Sequence, residues 1–110
     1  MGYLYWYNAY VTKVYDGDTI TVDIDLGFGI VMKNQKLRLA GIDTPELRGD
    51  EREQGIISRD WLKDKILDKW ITINTVKDKT GKYGRYLAYI YLDGENLNET
   101  LLNEGLAEKY

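Results

Sequence analysis

The sequence predicts a mainly β fold with helices (α+β), in which a small closed sheet of five strands carries about two α-helices on its outside. Three observations predict it: segments that alternate polar and apolar residues, two segments with apolar residues at helical spacing, and an order of three strands, a helix, two strands and a helix. A chain of 110 residues is the size of one domain with one core. Residues 1–110 read as a single unit, without repeats, linkers or low-complexity segments and with a single proline, Pro45.

Residues 5–14 are aromatic and β-branched and form the first strand, which Asp16-Gly17-Asp18 breaks. Thr19 to Leu26 alternates polar and apolar without error, the pattern of a half-buried strand. Gly27-Phe28-Gly29 turns the chain, and Ile30 to Leu39 returns as a third strand with Leu37 and Leu39 on the core side and Arg38 on the other face. A charged loop follows, then a helix from about Gln54 to Asp68 whose Ile57, Trp61, Leu62 and Ile66 share one face. Trp70 to Val76 and Arg85 to Leu92 are the fourth and fifth strands, and Asp93-Gly94 is a turn dipeptide. Asn96 with Glu99 resembles a capping box opening a short helix through Leu97, Leu101 and Leu102, and Gly105 supplies its stop. This order is the layout of an OB-type barrel.

Composition narrows the chemistry. The chain has no cysteine and no histidine. Disulfides, thiolate chemistry, serine triads and histidine-ligated zinc are thereby excluded, and catalysis must run on carboxylates, Lys, Arg, Tyr, hydroxyls or a metal held by oxygen. No apolar run is long enough to span a bilayer, so no membrane partner is expected. The first residues carry no basic region followed by an apolar one, so no signal peptide is legible, and Trp6 stands where a myristoylation motif needs Ser or Thr. The net charge of −3 argues by itself against a nucleic-acid partner.

Three polar constellations interrupt this frame. Asp16-Gly17-Asp18-Thr19 puts two carboxylates on a tight turn that glycine permits. In Leu37 to Glu46 a strand delivers Arg38, then Asp43, a bend fixed by Pro45, and Glu46. Thr80-Gly81-Lys82-Tyr83-Gly84-Arg85, preceded by Lys77 and Lys79, offers exposed backbone and positive charge to a phosphate. Taken singly, the first and third are ordinary turns, and the second is evenly balanced between a capped loop and a site. Together they suit a site of oxygen ligands for a hard cation, calcium or magnesium, where Asp18 and Asp43 can meet if neighbouring strands place them on one rim, and two arginines are suited to clamp phosphate oxygens.

Val14-Tyr15-Asp16-Gly17-Asp18-Thr19, Leu37-Arg38-Leu39 with Gly41-Ile42-Asp43-Thr44-Pro45-Glu46, and Lys82-Tyr83-Gly84-Arg85 with Leu87-Ala88-Tyr89-Ile90-Tyr91 resemble the motifs of the thermonuclease (staphylococcal nuclease-like) family, in the family's order. Leu97-Asn98-Glu99 and Gly105-Leu106-Ala107 extend the resemblance over nearly the whole chain. It implies an OB-fold barrel and calcium-dependent hydrolysis of DNA and RNA, single strands favoured, at the 5′-oxygen–phosphorus bond to leave 3′-phosphate ends. By the same resemblance Asp18 and Asp43 are calcium carboxylates, Thr44 a carbonyl ligand, and Asp16 an acidic residue supporting them from behind. Arg38 and Arg85 bind the phosphate, Glu46 orients or deprotonates the attacking water, and Lys82 and Tyr83 contact a terminal phosphate.

The segment after Glu46 is short, and the sequence stops at Tyr110 where family members continue into stacking tyrosines and a third helix, so the family's C-terminal helix is expected to be missing. The aromatic cluster Tyr3, Tyr5, Trp6, Tyr7 and Tyr10 is expected to be part core and part strand surface. Asp50, Glu51, Glu53 and Asp60 are expected to face solvent away from the site, leaving Arg38, Lys77, Lys79, Lys82 and Arg85 as a positive rim. The rival reading is a non-catalytic nuclease-like module that binds nucleic acid or protein. Such a module would have lost some of Asp18, Arg38, Asp43, Glu46 or Arg85, and all five are present. A monomer is expected.

Overall fold

A computed structural model of the chain describes residues 5–80 and 86–110, the side chains of 77–80 excepted. Five long strands build the molecule: β1 (Tyr5–Asp16), β2 (Thr19–Gly27), β3 (Ile30–Leu39), β5 (Trp70–Thr80) and β6 (Tyr86–Leu92). They lie in the order β3-β2-β1-β5-β6, and β3 pairs again with β6, in parallel, so the sheet closes. Closure demands that strands bend, and irregularities in register between Val11 and Lys13 and between Val22 and Ile24 supply local twist. The result is the five-stranded barrel of the OB fold, as the element order predicts.

Three two-residue strands go beyond the predicted five. β4 (Ile42–Asp43) pairs with β8 (Glu108–Lys109), and β7 (Glu95–Asn96) extends β6. The last pair is joined through Asp93 and Gly94, both at positive φ, as a two-residue hairpin requires.

Inward positions alternate along each strand. Ala9 and Val11, Ile20 and Val22, Leu37 and Leu39, Ile71 and Ile73, and Ala88 and Ile90 fill the barrel. Arg38 lies on the other face from its buried neighbours, as predicted. Helix α1 (Arg52–Ile66), preceded by a 3-10 turn (Gly49–Glu51), closes the core with Leu62 and Ile66, and α2 (Leu97–Asn103) adds Leu97 and Leu101. The α2 start is capped as predicted, Asn96 Oδ1 accepting from the Glu99 amide at 3.1 Å, and Gly105 ends it at φ +74.

The buried face of α1 keeps the predicted Leu62 and Ile66, with Trp61 partly buried against the core, and departs from the prediction at Ile57. Ile57 is exposed, and the buried line is Gly55, Ser58, Leu62 and Ile66. At Gly55 the helix lies against the carbonyl groups of Pro45 and Glu46, so close that an added Cβ would sit 2.9 Å from the Pro45 oxygen. Ser58 donates to the Leu106 carbonyl at 2.7 Å. Small residues mark where α1 comes closest, and apolar periodicity does not register them. Of the N-terminal aromatics, Tyr5 and Trp6 are exposed and Tyr7 and Tyr10 half-buried; Tyr3 lies outside the described residues.

Candidate active site

The β1–β2 turn, the end of β3 and the segment after it converge on one rim of the barrel. Asp16 pairs with Thr19 across the turn, and its Oδ1 accepts from the Asp18 amide at 3.0 Å, which holds both carboxylates in place. Gly17 is not left-handed, so its role is not the conformational freedom the sequence suggests. What it supplies is room: a Cβ there would lie 2.7 Å from Thr44 Cγ2 and 3.0 Å from Ser58 Cβ. The turn is therefore pressed onto the Thr44 segment, with α1 behind it.

That contact carries the electrostatics. Asp18 is buried; its Oδ2 accepts from the Thr44 amide at 3.0 Å and its Oδ1 from the Thr19 hydroxyl at 3.1 Å. The Asp18 carbonyl accepts from the Leu39 amide at 2.8 Å, tying the turn to β3. Arg38 then spans the site. Its Nη1 donates to the Leu39 and Ile42 carbonyls, each at 2.9 Å. Its Nη2 lies between two carboxylates, 3.2 Å from Asp43 Oδ1 and 3.4 Å from Asp18 Oδ2. The ring of Tyr110 stacks on the guanidinium with its centroid 5.0 Å away.

Burial opposes charge at both turn aspartates, and their partners decide the outcome. Asp16 is pushed up to about 7 by burial, with the hydrogen bond and charge of Asp18 adding to it. Burial would raise Asp18 too, but the Asp16 hydrogen bond, the Thr44 amide, the charge of Arg38 and the Thr19 hydroxyl together hold it below its ordinary value. Within the pair, negative charge is therefore favoured on Asp18 over Asp16.

Asp18, Arg38, Asp43 and Thr44 are brought together by direct contacts, with Asp16 bonded to the turn beside them. Glu46 is exposed and lines a cleft of about 190 Å³ together with Asp16, Tyr15, Leu47 and Arg48. Its amide donates to Glu51 Oε1 at 3.0 Å. This corrects the expectation for Glu51: although exposed, it faces the site, lining with Asp43, Thr44 and Glu108 a second cleft of about 290 Å³. Asp50, Glu53 and Asp60 are exposed as expected. Lys82, Tyr83 and Arg85 lie outside the described residues, as do the side chains of Lys77 and Lys79, so only Arg38 of the expected positive rim is placed.

Among the described residues, the side chains at this rim that can ligate a metal offer only oxygen atoms. The hydroxyl of Thr44 is buried without a hydrogen-bond partner among the described residues. Among the described residues no group of three acidic side chains is close enough to hold a metal ion alone. The donor set therefore suits a hard cation that completes its shell with carbonyl oxygen and water, and it does not suit zinc or copper.

Two contributions had little signal in the sequence. β8 pairs Asp43 with Glu108 and places Tyr110 over Arg38, so the last residues build one wall of the site. Asn98 is buried, accepting from the Ile90 amide at 3.0 Å and donating to the Ala40 and Ala88 carbonyls at 2.8 and 3.1 Å. It locks α2 to the end of β3, the strand that presents Arg38.

Comparison with known proteins gives the chain its relatives. The chain is 38% identical over 100 residues to a protein named thermonuclease from Staphylococcus hyicus, covering 88% of this chain and 56% of that protein. It is 33% identical over 100 residues to the thermonuclease of Staphylococcus intermedius, with the same coverage. With Endonuclease YncB of Bacillus subtilis (strain 168) it shares 34% identity over 104 residues, 91% of this chain and 46% of that one. The chain thus spans about half the length of the curated relatives it matches. Residues 36–110, well over half of the chain, match the family model for staphylococcal nuclease homologues, and the chain belongs to that family.

Proposed function

We propose that this domain is a calcium-dependent nuclease that hydrolyses DNA and RNA, single strands preferentially, at the 5′-oxygen–phosphorus bond to leave 3′-phosphate ends. The observation that carries the reading is the placement of Arg38 Nη2 between the carboxylates of Asp18 and Asp43, on a rim where the Thr44 amide donates to Asp18. Two carboxylates on one guanidinium nitrogen mark a point where a cation and a phosphate can both be received. Family membership and the nuclease names of its relatives support the same reading.

In this reading Asp18, Asp43 and the Thr44 carbonyl would hold calcium, and Asp16 braces the turn by accepting a hydrogen bond from the Asp18 amide. When bound, the ion polarises the phosphate and helps position water. Arg38 keeps Nη1 on the two backbone carbonyls, so its guanidinium is pre-oriented, while the Nη2 contacts are exchanged for phosphate oxygens. Arg85, which precedes β6 in the sequence, is the second arginine to bind the phosphate. Both arginines stabilise charge that grows as the phosphorus becomes five-coordinate. Glu46 orients the attacking water and accepts its proton; the hydroxyl goes to phosphorus, and the 5′-oxygen leaves and is protonated from solvent. Lys82 and Tyr83 contact a terminal phosphate.

Cleavage of single-stranded DNA with calcium, with magnesium and with chelator tests this, using Arg38→Ala, Glu46→Gln and Arg85→Ala as controls. Calcium-dependent cutting that collapses in all three variants is expected. Binding without cutting under every condition would overturn the reading in favour of a binding module.

A further inference from the structure

The outer face of β1, β5 and β6 is paved with aromatic rings. Ala9, Ile71, Ile73, Ala88 and Ile90 point into the barrel, so the residues alternating with them point out. The register sets Trp6, Asn74 and Tyr89 in one row across the three strands and Asn8, Thr72 and Tyr91 in the next, with Tyr10 beside Trp70 beyond them. Trp6 meets Tyr91 at 5.2 Å between ring centroids, and Tyr10 meets Trp70 edge to face at 5.5 Å. Cross-strand ring pairs stabilise a sheet, yet these leave Trp6 53%, Trp70 57% and Tyr89 38% exposed. Contiguous exposure of this kind marks an interaction surface.

The chemistry of the face and its position point to one occupant. None of the residues in these rows is charged, in a chain where 30% of residues are, so no carboxylate among them repels a phosphate. An apolar partner would cover the rings but strand the polar side chains set between them, those of Asn8, Thr72 and Asn74. Asn74 is already buried, and its Oδ1 has no hydrogen-bond partner among the described residues. Nucleobases complement both features, with a π-face for each ring and edge N–H groups for an orphaned acceptor. The face also adjoins the candidate active site. Leu87 pairs with Arg38 where β3 meets β6, and Tyr89 follows two residues on, on the same side of β6. At about 3.4 Å per residue, Tyr89 stands roughly 7 Å along the strand from the level of Arg38. From there the rings run across β5 to Trp6 on β1.

We propose that the outer face of β1, β5 and β6 is a stacking platform for single-stranded nucleic acid, on which Tyr89, Trp6 and Tyr91 receive bases flanking the phosphate bound at Arg38. The phosphate at Arg38 rests on the nuclease reading above; the stacking does not. A single strand can lay unpaired bases on the rings, whereas a duplex keeps its bases stacked on one another, so the platform gives a preference for single strands a physical basis.

Titration of the protein in chelator with a short oligothymidylate tests the proposal, read by tryptophan emission and by anisotropy of the labelled strand. Of the three tryptophans, Trp6 and Trp70 lie on this face, so stacked bases quench the emission. The same strand annealed to oligodeoxyadenylate leaves it unquenched. Trp6→Ala and Tyr89→Ala each weaken binding of the single strand by roughly tenfold or more. Trp6→Phe and Tyr89→Phe keep a ring and bind as the parent does. Urea midpoints identify any alanine variant that has lost its fold, and quenching in the parent needs no variant. Absence of quenching, equal affinity for the duplex, or unchanged binding by folded Trp6→Ala and Tyr89→Ala overturns the proposal. So does a dimer, formed without nucleic acid, that Trp6→Ala dissociates, which would give the face to a second copy of the chain. Because binding is read in chelator, its failure leaves calcium-dependent cleavage standing, and failure of cleavage leaves the platform standing.

Discussion

Replacing Gly55 by alanine sets two effects of known size against each other. In the middle of a helix alanine is favoured over glycine by about 0.8–1.0 kcal/mol. Here the new Cβ would lie 2.8 Å from the Glu46 carbonyl carbon and 2.9 Å from the Pro45 oxygen, distances that side-chain carbons do not tolerate. The obstructing atoms are backbone and cannot swing aside as a side-chain end would. Overpacking of this kind costs about 1–3 kcal/mol, typically through a backbone shift. The propensity gain offsets part of that, leaving a net loss of about 1 kcal/mol, and each kcal/mol lowers the melting temperature of a small domain by roughly 4–8 °C. Because the segment pushed away carries Glu46, to which the proposed mechanism gives the attacking water, that mechanism predicts a fall in kcat on single-stranded DNA as well, and a displacement of about 1 Å can cost about a hundredfold. Urea denaturation and turnover measured on the same preparation check both. A Gly55→Ala protein as stable as the parent or more so, with unchanged kcat, would refute the idea that α1 holds the Glu46 segment by close approach.

Asn98→Ala should cost about 3 kcal/mol in urea denaturation, because it leaves the buried Ile90 amide and shares of the Ala40 and Ala88 carbonyls unsatisfied; a loss under about 1 kcal/mol would mean these groups find other partners. Thr44→Val removes a buried hydroxyl without a partner among the described residues and should raise stability in chelator by about 1 kcal/mol. A loss of stability in chelator would show that the hydroxyl is satisfied inside the fold.

The acidic balance that speaks against a nucleic-acid partner takes on a different meaning once the chain is folded. Asp16, Asp18, Asp43, Glu46, Glu51 and Glu108 surround Arg38 and the clefts beside it. Much of the negative charge is therefore gathered at one rim, where a cation would be drawn, and the net charge averages over that distribution. Burial raises Asp16, helped by the hydrogen bond and charge of Asp18, while the Asp16 hydrogen bond, the Thr44 amide and Arg38 lower Asp18.

Strand alternation, the Asp93-Gly94 and Gly27-Phe28-Gly29 turns, the Asn96 cap and the placement of Arg38 opposite Leu37 and Leu39 were all determined by the sequence itself, because each rests on a period or a turn preference acting over a few residues. So was the oxygen-only character of the site, which follows from a chain without histidine or cysteine. Tertiary structure alone decided the rest. It turned α1 onto Gly55 and Ser58 instead of Ile57, gave Gly17 the task of making room for Thr44, brought Glu51 to the site, and folded the last residues back so that Tyr110 covers Arg38. These features depend on how closely distant segments approach one another, and small residues that permit a close approach leave no mark on an apolar pattern.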